Sequence, residues 1–317
     1  MYIVPEFRHS DFRMQTECIL LSLTSRENEE RKDSMEPKEI QELAITATKG
    51  RLLGLSAIHR AASGHTGGSL SVMDILTVLY FREMKVNPEA PKDPNRDRLV
   101  MSKGHCTPAL YSVLALRGFF PVEDMQLFRS IDGHYSGHPD MVHVKGVDMS
   151  TGSLGQGISA AVGMALAGKI DSKDYRVYAI LGDGELDEGQ VWEAAMSAAK
   201  YSLDNLCAVV DYNKMQIDGT TDNVMPLGDL AAKWAAFGWN VIEVDGHDYA
   251  ALADAFEQAK TVKGKPTVVL AHTIKGKGVS FMEGVYTWHG KAPNDEQYAQ
   301  AKSELEAHLK QLEEEGK

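Results

Sequence analysis

The chain has 317 residues, 43% of them hydrophobic and 25% charged, a globular balance that excludes a disordered or fibrous polymer and allows one large α/β domain or two smaller ones. Forty-five acidic against 33 basic side chains leave a net charge of −12, so no broad positive field exists to hold a nucleic-acid backbone or an anionic membrane. Any anionic ligand has to be gripped locally.

Residues 1–34 differ from the rest: a short apolar patch, Ile19-Leu20-Leu21, precedes the charged run Arg26–Asp33, and the segment is expected to be a disordered extension, with Met35 as a candidate native start. Glu6, Arg8, Asp11 and Arg13 stand where a signal peptide would be apolar, and no apolar run reaches the ~20 residues of a membrane helix. Cys18, Cys106 and Cys207 are odd in number and scattered, which suits a reducing compartment and a cytoplasmic address.

From Met35 onward, helices are predicted over 36–62, 70–83, 106–117, 156–168, 189–201, 248–260 and 294–314, alternating with strands over 99–102, 177–181, 206–211, 241–244 and 267–271. Apolar strands alternating with amphipathic helices and Gly-rich turns predict an α/β fold, a parallel sheet of about five strands covered by helices on both faces, over 35–317.

The densest chemistry lies between 177 and 219. The strand Val177–Leu181 runs into Gly182-Asp183-Gly184, a helix follows, and the strand ending at Asp211 leads to Asn213. A right-handed βαβ unit puts Asp183 and Asn213 at the same carboxyl edge, where a carboxylate and an amide oxygen suit magnesium or calcium, and magnesium favours a shared phosphate. As a lone tripeptide Gly-Asp-Gly reads more readily as a strand-ending turn.

Twenty-eight residues lie between Gly184 and Asn213, and this spacing resembles the thiamine diphosphate signature. Five further blocks, Ser63–Gly68, Ser102–His105, Gly137–Asp140, Thr151–Gly157 and Asn213–Gly219, together with Gly182–Gly189, resemble transketolase blocks in the transketolase order, over roughly 40–292. The resemblance implies thiamine diphosphate held through magnesium, with calcium or manganese as substitutes, by Asp183, Asn213 and the Met215 carbonyl. It implies cofactor contacts from His105, Gly152, Ser153, Leu154, Gly182, Asp183, Gly184, Glu185, Asn213, Ile217 and Ile274. His65, His105, His138 and His289 match the family's active-site histidines: His65 and His289 for substrate hydroxyls and protons, His105 beside the diphosphate and thiazolium, His138 for the donor's C1 hydroxyl.

Glu188 resembles an acid that approaches a partner-borne glutamate, and equally suits a first-turn helix acid stabilised by the dipole. His9, His59, His134, His143, His247, His272 and His308 read as surface or packing residues. The resemblance covers only the pyrophosphate-binding half of a transketolase, which implies an amino-terminal subunit of a split enzyme working with a separate carboxyl-terminal chain, two copies of each, on sugar phosphates. Thr66 and Ser153 depart from the proline that many transketolases carry there, beside substrate and cofactor contacts. Other readings stay open at this stage. One is a subunit of another thiamine diphosphate enzyme, such as a 2-oxoacid dehydrogenase α chain or a deoxyxylulose phosphate synthase. A second is a dehydrogenase built on Gly155-Gln156-Gly157-Ile158-Ser159-Ala160, and a third a non-catalytic subunit keeping the fold.

Overall fold

The computed structural model describes residues 35–315, and from Pro37 onward the chain forms one unit. The extension expected over 1–34, with Cys18 and His9, lies outside the described residues.

Five strands form the sheet: β1 (Arg98–Met101), β2 (Val177–Gly182), β3 (Leu206–Tyr212), β4 (Asn240–Asp245) and β5 (Thr267–His272). Their order is β1-β2-β3-β5-β4 and every pairing is parallel, as the alternation of strand and helix predicts. The central strands are short apolar runs buried on both faces, which is why sequence alone places them to within a residue or two.

Ten helices are described: α1 (Pro37–Ala61), α2 (Thr66–Ser71), α3 (Met73–Val78), α4 (Thr107–Arg117), α5 (Gln156–Ile170), α6 (Gly189–Lys200), α7 (Thr221–Val224), α8 (Leu230–Ala236), α9 (Tyr249–Thr261) and α10 (Asp295–Glu315). On one face, Val177, Ala179 and Leu181 of β2 with Leu206, Ala208 and Val210 of β3 pack against α5, α6 and the Trp234–Trp239 region. Across the sheet, Tyr178 packs on Phe256 of α9 and donates to Glu83, so the second face is also covered. The predicted helix 70–83 is three pieces: α2, α3 and a π-helical turn, Leu79–Glu83. It starts four residues earlier than predicted because Gly67-Gly68, weak helix formers, are carried into α2 by packing.

Because all strands point the same way, the segments after their carboxyl ends collect at one edge of the sheet. Lys103 and His105 follow β1, Asp183 follows β2, Asn213 follows β3, His247 follows β4 and Lys275 follows β5.

Candidate active site

A cavity of about 260 Å3 opens at that carboxyl edge. His65, His105, His138, Gly152, Leu154, Gly182, Asp183, Gly184, Glu185, Asn213, Met215, Ile217 and His289 line it, so most of the residues singled out from the sequence meet in one place. Gly68, Lys103, Gln216 and Lys275 also line it. Ser153, Glu188 and Ile274 are exposed and do not line the wall.

Three imidazoles form a triangle on one side. The ring centroids of His65 and His105 are 4.9 Å apart, those of His105 and His289 5.0 Å, and those of His65 and His289 5.5 Å. His65 caps α2, where its carbonyl accepts the Ser69 hydroxyl at 2.6 Å. His289 arrives from a distant loop, held in place by buried Trp288, whose indole donates to the Phe281 carbonyl at 3.2 Å. Burial pushes His65 down to about 4, helped by the charges of Arg129, His138 and Lys275. It pushes His289 down to about 3, with Lys275 next in weight, and holds His105 well below the ordinary imidazole value. All three rings are neutral at pH 7, and the Nδ1 atoms of His65 and His289 are buried without a hydrogen-bond partner. Such orphans in a cavity wall call for a ligand.

The cavity lining also carries oxygen donors. Asp183 Oδ1 accepts from the Gly184 amide at 2.8 Å and Oδ2 from the Lys214 amide, which brings the 213–215 segment against it. Asn213 is aimed by Asp211, whose carboxylate accepts its amide at 3.3 Å, while Asn213 Oδ1 accepts the Met215 amide at 3.2 Å. Burial, then the charge of Asp211, pushes Asp183 up to about 6, against the pull of Lys275 and the two amides. A buried carboxylate, an amide oxygen and a carbonyl form a hard donor set, and the cost of charging Asp183 is what a divalent cation would remove. The donor set therefore suits a hard divalent cation.

Two buried lysines complete the cavity. Lys103 reaches Asp211 Oδ2 and donates to the Gly68 carbonyl at 3.2 Å, and although burial opposes its charge, Asp211 holds its pKa above the ordinary lysine value. Lys275 donates to the Met215 carbonyl at 3.3 Å and is pulled down by burial. Asp211 also accepts from Ser71, at 2.6 Å, and from Thr273. Sequence reasoning missed Lys103, Lys275 and Asp211 as site residues. A charged residue closing an otherwise apolar strand, Ala208-Val209-Val210-Asp211, was the available signal for the last.

Backbone approach explains two glycines. A Cβ on Gly104 would lie 2.8 Å from the Gly152 nitrogen, and one on Gly67 would lie 2.9 Å from Lys275 Cγ and 3.1 Å from the Trp288 carbonyl oxygen. Either addition would push apart segments that bound the cavity. Glu185, expected among the cofactor contacts, has its carboxylate taken up by Ser102 and by the Gly155 and Gly182 amides. Glu188 occupies the position just before α6 without capping it through its side chain. Gly155 follows a loop and no strand leads into it, so the dinucleotide pattern at 155–160 lacks the context it needs.

Among the described residues no helix is long and apolar enough to cross a membrane. The family model described as transketolase, thiamine diphosphate binding domain, matches residues 41–312. The 6-deoxy-6-sulfo-D-fructose transketolase subunit SqwG of Clostridium sp. (strain MSTE9) is 52% identical over 81% of this chain and 93% of its own length. An apulose-4-phosphate transketolase subunit of Phocaeicola vulgatus is 43% identical over 87% of this chain and 98% of its own. The crystal structure of transketolase from Campylobacter jejuni superposes with a TM-score of 0.79 at 34% identity, covering 88% of this chain and 46% of that one.

Proposed function

Because the chain belongs to the transketolase family through its thiamine diphosphate-binding domain, we propose that it is the amino-terminal subunit of a two-chain transketolase. In this reading it is a cytoplasmic enzyme of sugar-phosphate metabolism, of the pentose phosphate type, assembled as a heterotetramer with two copies of a carboxyl-terminal partner. It transfers a two-carbon ketol unit from a ketose phosphate to an aldose phosphate. The observation that carries the reading is the match to subunits over 93% and 98% of their own lengths, against 46% of a solved transketolase. The domain assignment, an extension over 1–34 and a pyrophosphate-binding domain over 35–317, belongs to the same proposal.

Bound thiamine diphosphate supplies the electron sink that lets the C2–C3 bond of a ketose break. Asp183, Asn213 and the Met215 carbonyl would hold magnesium, with calcium or manganese as substitutes. The ammonium groups of Lys103 and Lys275, which also line the cavity, would neutralise diphosphate oxygens. Gly152, Leu154 and Ile217 would border the cofactor's rings, beside Gly182, Gly184 and Glu185. His65 and His289, neutral at working pH, would accept and return protons at substrate hydroxyls; His138 would hold the donor's C1 hydroxyl and His105 would sit by the thiazolium end. Glu188, exposed just before α6, would meet the partner chain. Ile217, Ile274, Val285 and Tyr286 leave apolar surface exposed, which suits a covering partner.

The 52% identity to one subunit of a sulfofructose transketolase favours a second substrate reading, in which the donor ketose ends in a sulfonate. One experiment addresses both. The tagged chain is captured from its native host with magnesium and thiamine diphosphate, and the eluate is weighed by native mass spectrometry and assayed on a ketose phosphate and its sulfonate analogue. A second chain in equal amount, with ketol transfer, supports the two-chain reading, and the ratio of kcat/KM values selects the donor. Elution alone without ketol transfer overturns it.

A further inference from the structure

His247, expected only to pack, is bonded on both sides of its ring. Nδ1 lies 2.7 Å from Asp74 Oδ2, and Nε2 lies 2.8 Å from the main-chain nitrogen of Ile274. An amide N–H only donates, so Nε2 is the acceptor, and the ring proton belongs on Nδ1, donated to Asp74. Asp74 is fixed independently. Arg51 grips both its oxygens, at 2.9 and 2.6 Å, and the Tyr249 hydroxyl donates to it at 2.6 Å.

In front of this closed cluster His247 holds the Thr273–Ile274 peptide, one residue before Lys275. The neighbouring bonds of that segment run elsewhere: the Thr273 amide donates to the Tyr212 carbonyl at 3.2 Å, and the Gly276 amide to the Gly67 carbonyl at 3.0 Å. Directly after Lys275 the chain turns through Gly276 in the left-handed region, at φ 81°, where a Cβ would collide with the Met282 carbonyl. The Lys275 carbonyl accepts the Gly284 amide at 2.9 Å and the Ile274 carbonyl the Lys277 amide at 3.2 Å, so the bond from the Ile274 amide to His247 is the tie on the amino-terminal side of Lys275 that bears on its aim.

We propose that His247 is a positioning residue: the Asp74–His247–Ile274 chain of bonds orders residues 273–276 and keeps Lys275 directed into the cavity, so that it sets affinity for a diphosphate ligand and leaves the chemical step alone. The diphosphate clause rests on the function proposed above; the ordering of 273–276 does not.

The test uses His247→Ala, His247→Gln and Tyr249→Phe. Glutamine offers an amide oxygen in place of Nε2. Tyr249→Phe removes another partner of Asp74 without touching Ile274, and so measures what mere loosening of the cluster does. Hydrogen exchange of peptides spanning 273–276 is followed on the full chain, and thiamine diphosphate affinity and saturated kcat on the complex with its partner. His247→Ala is expected to speed exchange there and weaken cofactor binding about tenfold or more, with kcat at saturating cofactor within about twofold. His247→Gln recovers most of both, and Tyr249→Phe changes neither although its melting temperature falls. Unchanged exchange at 273–276 in His247→Ala, or an equal loss in Tyr249→Phe, overturns the proposal. Faster exchange in a protein whose wild type binds no thiamine diphosphate would instead overturn the functional reading and leave the ordering role standing.

Discussion

Two buried polar clusters lie near the same edge of the sheet and differ in one respect. In the Arg51–Asp74–His247–Tyr249 cluster the carboxylate is fully partnered: although burial opposes its charge, Arg51 and His247 hold Asp74 well below the usual carboxylate range. Around the cavity, Asp183 is pushed up to about 6, His65 down to about 4, and two imidazole nitrogens have no partner. The first cluster is complete within the protein, whereas the second keeps a carboxylate whose charge burial penalises and imidazole nitrogens without partners until something binds. Burial is similar and purpose is not; completeness of hydrogen bonding separates a strut from a site.

The comparison breaks most visibly at Asp183. Asp183→Ala is expected to lower magnesium-dependent cofactor affinity by about 100-fold or more while circular dichroism keeps the wild-type fold, since the proposed metal ligand is lost and its buried charge costs the free protein energy. Tight binding that still requires magnesium would remove Asp183 from the metal site. For His65→Ala, turnover falls by about 10²–10⁴-fold with cofactor affinity kept, as measured in the two-chain complex by steady-state kinetics and calorimetry. In the closed cluster the reverse holds. Arg51→Met strands a buried carboxylate and lowers unfolding free energy by about 3–5 kcal/mol in urea titrations, and an Arg51→Met chain as stable as wild type would show that the cluster is not a strut.

Acidity sharpens the contrast. An unfolded histidine titrates near 6.5, while His65 in the fold titrates at about 4, so between those values the unfolded chain binds more protons and stability falls as pH is lowered through that window. His65→Gln should flatten this part of the stability profile; an unaltered slope would place the acid sensitivity elsewhere. The smallest effect is at Thr66, whose hydroxyl donates to the Lys291 carbonyl at 2.7 Å. Thr66→Val is expected to cost about 1 kcal/mol in thermal unfolding, by loosening the loop that carries His289.

The strands and the long helices were legible because each is written locally, in an apolar run or a 3.6-residue period. The helices α7 and α8, of four and seven residues, are too short to show a period and were missed. The site was legible wherever chemistry sits in a compact motif, as at Gly64-His65 or Gly182-Asp183-Gly184, and even His289, far along the chain, was reached through a short block. What stayed hidden are partnerships across the fold. Lys103 with Asp211 spans 108 residues, and His247 with Asp74 spans 173. Neither lysine nor histidine announces a distant partner, so His247 had no signal that could lift it above a packing residue.

A sheet with all its strands pointing one way also divides the molecule's tolerance for change. The turns that feed the strands, at 171–176 before β2 and 262–266 before β5, belong to the edge opposite the cavity, and Lys173, Lys263 and Gly264 are exposed there. Fluorophores, tags or short inserted peptides placed in these turns would leave every ligand-facing segment as it is, making this rim the natural handle for surface immobilisation and the other rim the part to leave alone.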